Sequence, residues 1–184
     1  MAKRLATQKP TPDEHGRRFF YYASGKRIDV TLDDELLAID QDLAAKAEVS
    51  SLQRKRLREA SRPLRGDLVL VPADSISPST QESLKKAGAV QRVFRADDTT
   101  LVVMPEVRVE DNSQDRGKAL RQWLAEHSDV AQVLTDNGDR LVLRPVSGQG
   151  TDALRLAAQL TEEVHVQSAQ PRFMRVVRRP STVS

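Results

Sequence analysis

Hydrophobic positions along the chain switch repeatedly between strand-like and helix-like spacing. The first ordered signal is an aromatic and β-branched run over residues 18–32, where Ser24-Gly25 predicts a hairpin turn. Apolar runs of strand length follow. Serine, threonine or asparagine before an amphipathic stretch indicates a helix N-cap, as at Asn112 or Ser113 and at Thr151. The pattern predicts a β-hairpin followed by alternating strands and helices, with the last strong strand at 164–167.

Two halves of the chain share this pattern. The runs LVLVP at 68–72 and LVLRP at 141–145 are offset by 73 residues, and a loop, a capped helix and a strand follow each. Upstream, the short runs at 36–39 and 107–109 are matching strands, each followed by a helix. Each half therefore predicts the order strand, helix, strand, strand, helix, strand, which is the split βαβ or ferredoxin-like arrangement.

We therefore expect an α+β protein of two tandem ferredoxin-like (βαββαβ) units with antiparallel sheets, preceded by a β-hairpin. The boundary is expected near Asp97-Asp98, and the second strand of the first unit is weakly marked within 60–66. The predicted divisions are a disordered leader at 1–17, the hairpin with the first unit at 18–98, the second unit at 99–175 and an extended basic tail at 176–184.

Composition narrows the class of protein. Apolar residues make up 39% and charged residues 30% of the 184 residues, too apolar for a disordered chain and too charged for a membrane protein. The basic N-terminus lacks the apolar core of a secretory signal, which predicts cytoplasmic localisation and no membrane partner. The lack of cysteine excludes disulfide scaffolds and thiolate sites.

Candidate catalytic chemistry is absent from the sequence pattern. The three histidines, His15, His127 and His165, lie far apart along the chain, without a carboxylate and a hydroxyl at a recognisable catalytic spacing. No glycine-rich phosphate loop is present. We therefore expect a protein that is not an enzyme and that has neither a metal site nor a cofactor.

Charge is uneven along the chain, although the net charge is only +3. Residues 1–66 carry 14 basic and 10 acidic side chains, and residues 172–184 carry four arginines and no acid. Basic ends around an acidic centre suggest a binding role. One predicted helix and the loop after it are rich in basic residues, which would suit binding to nucleic acid. The central strands, however, offer only Phe94 for base stacking. The basic residues of this helix and loop are Arg54, Lys55, Arg56, Arg58, Arg62 and Arg65.

A resemblance gives a more specific hypothesis. The block GDRLVLRPVSGQGTDALRLAAQLTEEVHVQSAQPRF resembles the propeptide of subtilisin-like serine proteases. It has a strand, a TDAL-type helix start, a leucine–alanine helix and an Ala-Glu-Pro-like turn, here Ala169-Gln170-Pro171. The earlier runs YYASGKRIDVTLDDELLAI and AVQRVFRADDTTLVV are similar to the extended, doubled pro-regions of some bacterial members. Gln170 stands where the family has glutamate.

The resemblance implies a non-catalytic inhibitor and folding chaperone of a subtilisin-like protease, joined to it in cis or acting in trans. Its sheet would dock on the protease, and its C-terminal segment would enter the substrate cleft as an added strand. We expect the segment from Phe173 onward to be extended and to stay out of the protein's own core. A nucleic-acid-binding or adaptor module on a ferredoxin-like scaffold is the alternative. The predicted protease-binding residues are Gln170, Pro171, Arg172, Phe173, Met174, Arg175, Val176, Val177, Arg178 and Arg179.

Overall fold

The chain forms a mixed α+β fold in which helices cover one face of an antiparallel sheet. The structure, a computed structural model, describes residues 18–111 and 114–176. The strands in these ranges are β1 (Phe19–Ala23), β2 (Lys26–Asp40), β3 (Arg62–Pro63), β4 (Leu68–Pro72), β5 (Val90–Ala96), β6 (Thr99–Glu110), β7 (Ala131–Asp136), β8 (Arg140–Pro145) and β9 (Ser168–Val176). The helices are α1 (Gln41–Ala45), α2 (Ser51–Ala60), α3 (Pro78–Lys86), α4 (Gln114–Glu126) and α5 (Gly150–Gln159).

The predicted hairpin is present as β1 and β2. The two strands pair from Phe19 opposite Val30 to the turn, where Ser24 and Gly25 have φ values of 51° and 74°. Both values lie in the left-handed region that a two-residue type I′ turn requires, and glycine adopts it without strain. The sequence prediction of this turn is confirmed.

Strand β2 is longer than the sequence indicates. It runs without a break to Asp40, joining two apolar runs that the pattern separates. Its pairing with β5 shifts register between Asp33 and Leu37. A bulge of this kind changes which side chains face each side of the sheet, so the alternation is interrupted although the strand continues.

The strand order is the same in two successive sets of strands. Across β2 to β5 it is β3-β4-β2-β5, and across β6 to β9 it is β9-β6-β8-β7, with every pair antiparallel. In both sets the first strand lies between the third and the fourth, and helices connect the first strand to the second and the third to the fourth. The runs LVLVP and LVLRP are the third strands of the two sets, so the sequence repeat occupies equivalent positions.

The expectation of separate sheets is wrong. Strands β5 and β6 pair from Val93 opposite Val102 to Ala96 opposite Thr99, which links all the strands of the described ranges into one sheet. Asp97, with φ of 49°, lies in the tight turn between them. Because a turn this short leaves the two strands side by side, their backbone groups pair with each other across the expected boundary.

Two core clusters lie under the helices. One packs α1 to α3 against β2, β4 and β5, with Leu37, Ile39 and Leu84 almost fully buried. The other packs α4 and α5 against β6 and β8 and also takes in the leading hairpin, since Phe19 meets Phe94 edge to face at 5.1 Å. The hairpin therefore shares a core with the second set of strands, although the sequence grouped it with the first unit.

The end of α5 differs from the predicted pattern. Gln149 is the N-cap instead of Thr151, and a π-helical turn, Leu160–Val164, continues the helix to His165, where φ is 59°. Leu160 and Val164 pack against the core four residues apart, at helical spacing. The strand predicted at 164–167 is therefore wrong, and β9 begins at Ser168. The predicted start of α4 at Asn112 or Ser113 lies outside the described residues.

Candidate binding groove on the open face of the sheet

The face of the sheet opposite the helices has an aliphatic floor. Ala38, Leu70, Val93 and Val102 are buried there, one from each of β2, β4, β5 and β6. The partly buried side chains packed against them are Leu36, Leu64, Met104, Met174 and Val176. The floor therefore continues from the first set of strands into the second, and among the described residues of this cluster none comes from a helix.

A groove of about 1740 Å³ lies over this floor. Its lining includes residues 62–66, around β3, and residues 170–176, in β9, with Leu36, Leu70 and Thr100 between them. Because β3 and β9 are several strands apart in the sheet, the sheet has to curl toward this face for both to line one groove. Both repeats therefore contribute to one concave surface.

Arginine dominates the polar lining of the groove. No aspartate or glutamate of the described ranges lines it. Two of the six lining arginines are paired with carboxylates, and Arg175 alternates with Met174 and Val176 of the floor, so the excess positive charge of this surface comes from the other three. Such an excess attracts anionic groups over a distance of about 8 Å at physiological ionic strength. The six residues are Arg62, Arg65, Arg95, Arg108, Arg172 and Arg175.

Two of these arginines are held in place by carboxylates beside the groove. Arg95 Nε donates to Asp33 Oδ2 at 2.8 Å, and the Asp33 side chain is only 2% exposed. This hydrogen bond and the charge of Asp33 raise the pKa of Arg95 above its usual value. Arg172 Nη1 donates to Glu106 Oε2, also at 2.8 Å. The carboxylates fix the direction of these two guanidinium groups.

The other four arginines have no such partner within the part of the chain that the structure describes. Arg62 and Arg65 follow α2, Arg108 lies on β6, and Arg175 lies on β9; all four are exposed. In β6, Val107 and Val109 are fully buried under the helices, so the intervening Arg108 projects to the open face. Arg175 lies between Met174 and Val176, which face the floor. The guanidinium groups of Arg62, Arg65 and Arg108 are therefore the ones available to an incoming anion.

The predicted protease-binding residues divide into four groups along the chain. Pro171 is buried, while Gln170 and Arg172 are exposed on β9. Phe173 and Met174 are half-buried, and the ring centroids of Phe173 and Tyr21 are 4.6 Å apart. Arg175 and Val176 end the strand. Val177, Arg178 and Arg179 lie outside the described residues.

The expectation that the segment from Phe173 onward avoids the core is wrong for residues 173–176. Phe173 packs against the core under the helices, while Met174 and Val176 pack against the aliphatic floor. β9 pairs with β6 to the end of this segment, where Val176 lies opposite Thr100. Alternating apolar side chains on both faces of an edge strand explain why these residues belong to the sheet.

The predicted basic helix and loop do not form one surface. Arg54 of α2 donates to the backbone carbonyls of Ala45, Ala47 and Val49, so it supports the end of α1. Only Arg62 and Arg65 of that cluster line the groove. Sequence reasoning missed Arg95 and Arg108, because each follows from the strand pairing of residues distant in the chain; the alternation around Arg108 was the available signal.

Comparisons with known proteins return no match for this chain among protein families, curated proteins or solved structures. Across residues 18–111 and 114–176, no helix is long and apolar enough to cross a membrane. The same ranges contain no group of three or more histidine, cysteine, aspartate or glutamate side chains placed to hold a metal ion.

Proposed function

We propose that the protein is a non-catalytic inhibitor and folding chaperone of a subtilisin-like serine protease. In this proposal its two sets of strands are tandem ferredoxin-like units, whose shared sheet docks on the protease. The residues after β9 enter the substrate cleft as an added strand. The proposal combines the resemblance of the 138–173 block to such propeptides with the geometry of β9.

The strand order supports the fold part of this proposal. In each set the second strand is outermost and the first and third strands are adjacent, the order that a βαββαβ chain has in ferredoxin-like units. The helices after the first and third strands also match that arrangement. The continuous sheet through β5 and β6 distinguishes this protein from two independent modules.

The observation that carries the functional proposal is the path of β9. This strand pairs with β6 along one edge from Ser168 to Val176 and is extended up to the last described residue. In this proposal the residues after Val176 add to a substrate-binding strand of the protease. Main-chain hydrogen bonds then supply affinity, and alternate side chains supply selectivity.

Docking of the sheet explains the chaperone part of the proposal. A ligand that binds only the folded protease stabilises it in proportion to the logarithm of its concentration over Kd. The inhibitory and stabilising actions therefore use different parts of the chain, namely the segment after Val176 and the sheet.

The test uses subtilisin-like catalytic domains encoded in the same genome, assayed with a chromogenic peptide substrate. We compare the full chain with a chain ending at Val176, because an earlier end would remove residues paired in β9. The full chain should inhibit competitively, and the shortened chain should inhibit at least about tenfold less while still binding, since the strand addition is lost. A matched control replaces residues 177–184 by a glycine–serine segment of equal length.

Equal inhibition by the full and shortened chains would reject the role of the C-terminal segment. Failure of the full chain to inhibit or bind any of these proteases would reject the function itself. Substrate hydrolysis by the purified chain, lost on a point substitution, would show that it is a catalyst.

A further inference from the structure

We propose that the arginine-lined groove is a binding site for an acidic, amphipathic polypeptide segment. Carboxylates of this segment would pair with the groove arginines, and its aliphatic side chains would cover the floor. The groove does not include the residues after Val176. The inference does not depend on the protease assignment, because it rests on the charge and shape of the groove alone.

Charge complementarity is the first step. Arg62, Arg65 and Arg108 are exposed and have no carboxylate partner among the described residues, and no acidic side chain of those ranges lines the groove. Guanidinium groups bind carboxylates through two parallel hydrogen bonds, which is the strongest common form of charge-assisted pairing. A ligand with several carboxylates would satisfy these groups together.

Preorganisation is the second step. Asp33 and Glu106 accept hydrogen bonds of 2.8 Å from the groove arginines Arg95 and Arg172, respectively. Arg172 uses one of its five N–H groups on Glu106; Arg95 uses one on Asp33 and has Nη2 at 3.7 Å from Glu35 Oε2. Both guanidinium groups therefore keep N–H groups that can donate to a ligand. An arginine whose direction is already fixed loses less conformational freedom when a ligand binds.

The floor distinguishes a polypeptide from a nucleic acid. Single-stranded nucleic acids bind by stacking bases on aromatic rings, with phosphates in a positive groove. Here the floor consists of aliphatic side chains such as Leu36, Leu70 and Met174. Phe173 is the one aromatic residue among the described lining residues, and it packs against the core under the helices and against Tyr21. The leucine and methionine side chains of the floor are complemented better by the aliphatic side chains of a polypeptide than by the bases of a nucleic acid.

The size of the groove favours a polymer over a metabolite. Pockets for small molecules usually enclose about 300–1,000 Å³, whereas this open groove has about 1740 Å³. Its arginines also come from β3, the loop after it, β5, β6 and β9. Charges spread over so many strands match carboxylates spread along a chain.

The experiment measures binding to the full chain by fluorescence anisotropy. The probe is a fluorescein-labelled peptide with leucine at helical spacing and glutamate at the remaining positions. Two comparison probes are the same peptide with glutamine for glutamate, and a single-stranded oligothymidylate of equal charge. The acidic peptide should bind at least about tenfold more tightly than either comparison probe, and its affinity should fall as salt rises.

Two matched triple variants locate the site. R62Q/R65Q/R108Q removes three exposed groove arginines, and K55Q/R56Q/R58Q removes three exposed cations of α2, which lies on the helix side of the sheet. The groove variant should weaken binding of the acidic peptide by about tenfold or more, because charge-assisted hydrogen bonds are lost. The α2 variant should change it less than about twofold, since exposed distant charges are screened.

Equal loss in both variants would show non-specific attraction and overturn the proposal. Tighter binding of the oligothymidylate would assign the groove to nucleic acid instead. Circular dichroism and thermal unfolding of the variants show whether each remains folded; if the groove variant unfolds, the single substitution Arg108→Gln replaces it in the same comparison. No protease takes part, so failure of protease inhibition leaves this result unchanged.

Discussion

The side chain of Gln91 in β5 binds the backbone at the start of α5, next to Gly150. Its Oε1 accepts a hydrogen bond from the Gly150 N–H at 2.9 Å, and its Nε2 donates to the Gly148 carbonyl at 3.2 Å. Gln91 is only 5% exposed. Gln91 belongs to the first set of strands, and the N–H and the carbonyl that its buried amide binds belong to the second set. This pair of hydrogen bonds therefore fixes the two sets against each other.

Replacing Gln91 by methionine should lower the free energy of unfolding by about 1–3 kcal/mol, because the buried Gly150 N–H loses its partner while side-chain volume is kept. Urea unfolding measures the effect, with an unchanged m-value indicating a change in stability alone. The control is Gln132→Met at an exposed position of β7, where a change within about 0.5 kcal/mol is expected. Equal effects at both positions would contradict the assigned role of Gln91.

Gly150 is also required by close packing. A Cβ atom at this position would lie 1.9 Å from the backbone oxygen of Val103 in β6. Because that oxygen belongs to the sheet, Gly150→Ala should destabilise by about 1–3 kcal/mol or more through overpacking.

The matched control for this substitution is Gly117→Ala in α4, where nothing lies within 4 Å of the added Cβ. Helix propensity predicts that it stabilises the protein by about 0.5–1 kcal/mol. Thermal unfolding of the two variants should therefore shift in opposite directions. A neutral Gly150→Ala variant would mean that α5 moves away from β6 without cost.

Local pattern accounts for much of the fold. The hairpin at Ser24-Gly25 follows from turn chemistry, and the positions of β4 and β8 follow from the LVLVP and LVLRP repeat. The single sheet could not be predicted, since it depends on whether the strands on either side of Asp97 stay paired. Similarly, the end of α5 was missed because a strand and one more helical turn both fit the apolar spacing of residues 160–166.

The candidate groove was harder to predict than the fold. Arg172 and Arg175 were predicted site residues, and Arg62 and Arg65 were visible as a basic cluster. Their convergence with Arg95 and Arg108 depends on the curvature of the sheet and on pairing between residues far apart in the chain. Alternation assigns a side chain to a face, but it does not indicate which distant strand shares that face.

Acid should weaken the contact between α4 and the β7–β8 hairpin. Arg121 donates to both carboxylate oxygens of Asp136, with Nη2 to Oδ1 at 3.2 Å, and to the Gly138 carbonyl. The hydrogen bond from Arg121 and one from the Gly138 N–H hold the pKa of Asp136 below its usual value. The stability that this gives is present above the unfolded-state pKa, about 3.9, and is lost as pH falls through the lower folded-state pKa.

The substitution Asp136→Asn tests the direction of this pH dependence of stability. The wild-type chain should be more stable than the variant at pH 7, and the difference should shrink below about pH 4 as Asp136 becomes protonated in both states. Asp129→Asn serves as the control, since Asp129 is exposed and forms no ion pair with residues 18–111 or 117–176. A difference that grows on acidification would reject the assignment.

The proposed function predicts that inhibition and assisted folding separate at Val176. The sheet is complete up to this residue, because β9 pairs with β6 through Val176 and packs Met174 and Val176 against the aliphatic floor. A chain ending there should keep the docking surface, so it should still raise the yield of active protease refolded from denaturant by binding the folded form selectively. Protease activity should recover sooner with the shortened chain than with the full chain, because no strand occupies the cleft.

Refolding yield and the time course of recovered activity measure the two effects, with Gly150→Ala as a variant whose sheet packing is disturbed. If the shortened chain failed to assist refolding while Gly150→Ala still assisted it, docking would depend on the C-terminal segment instead of the sheet.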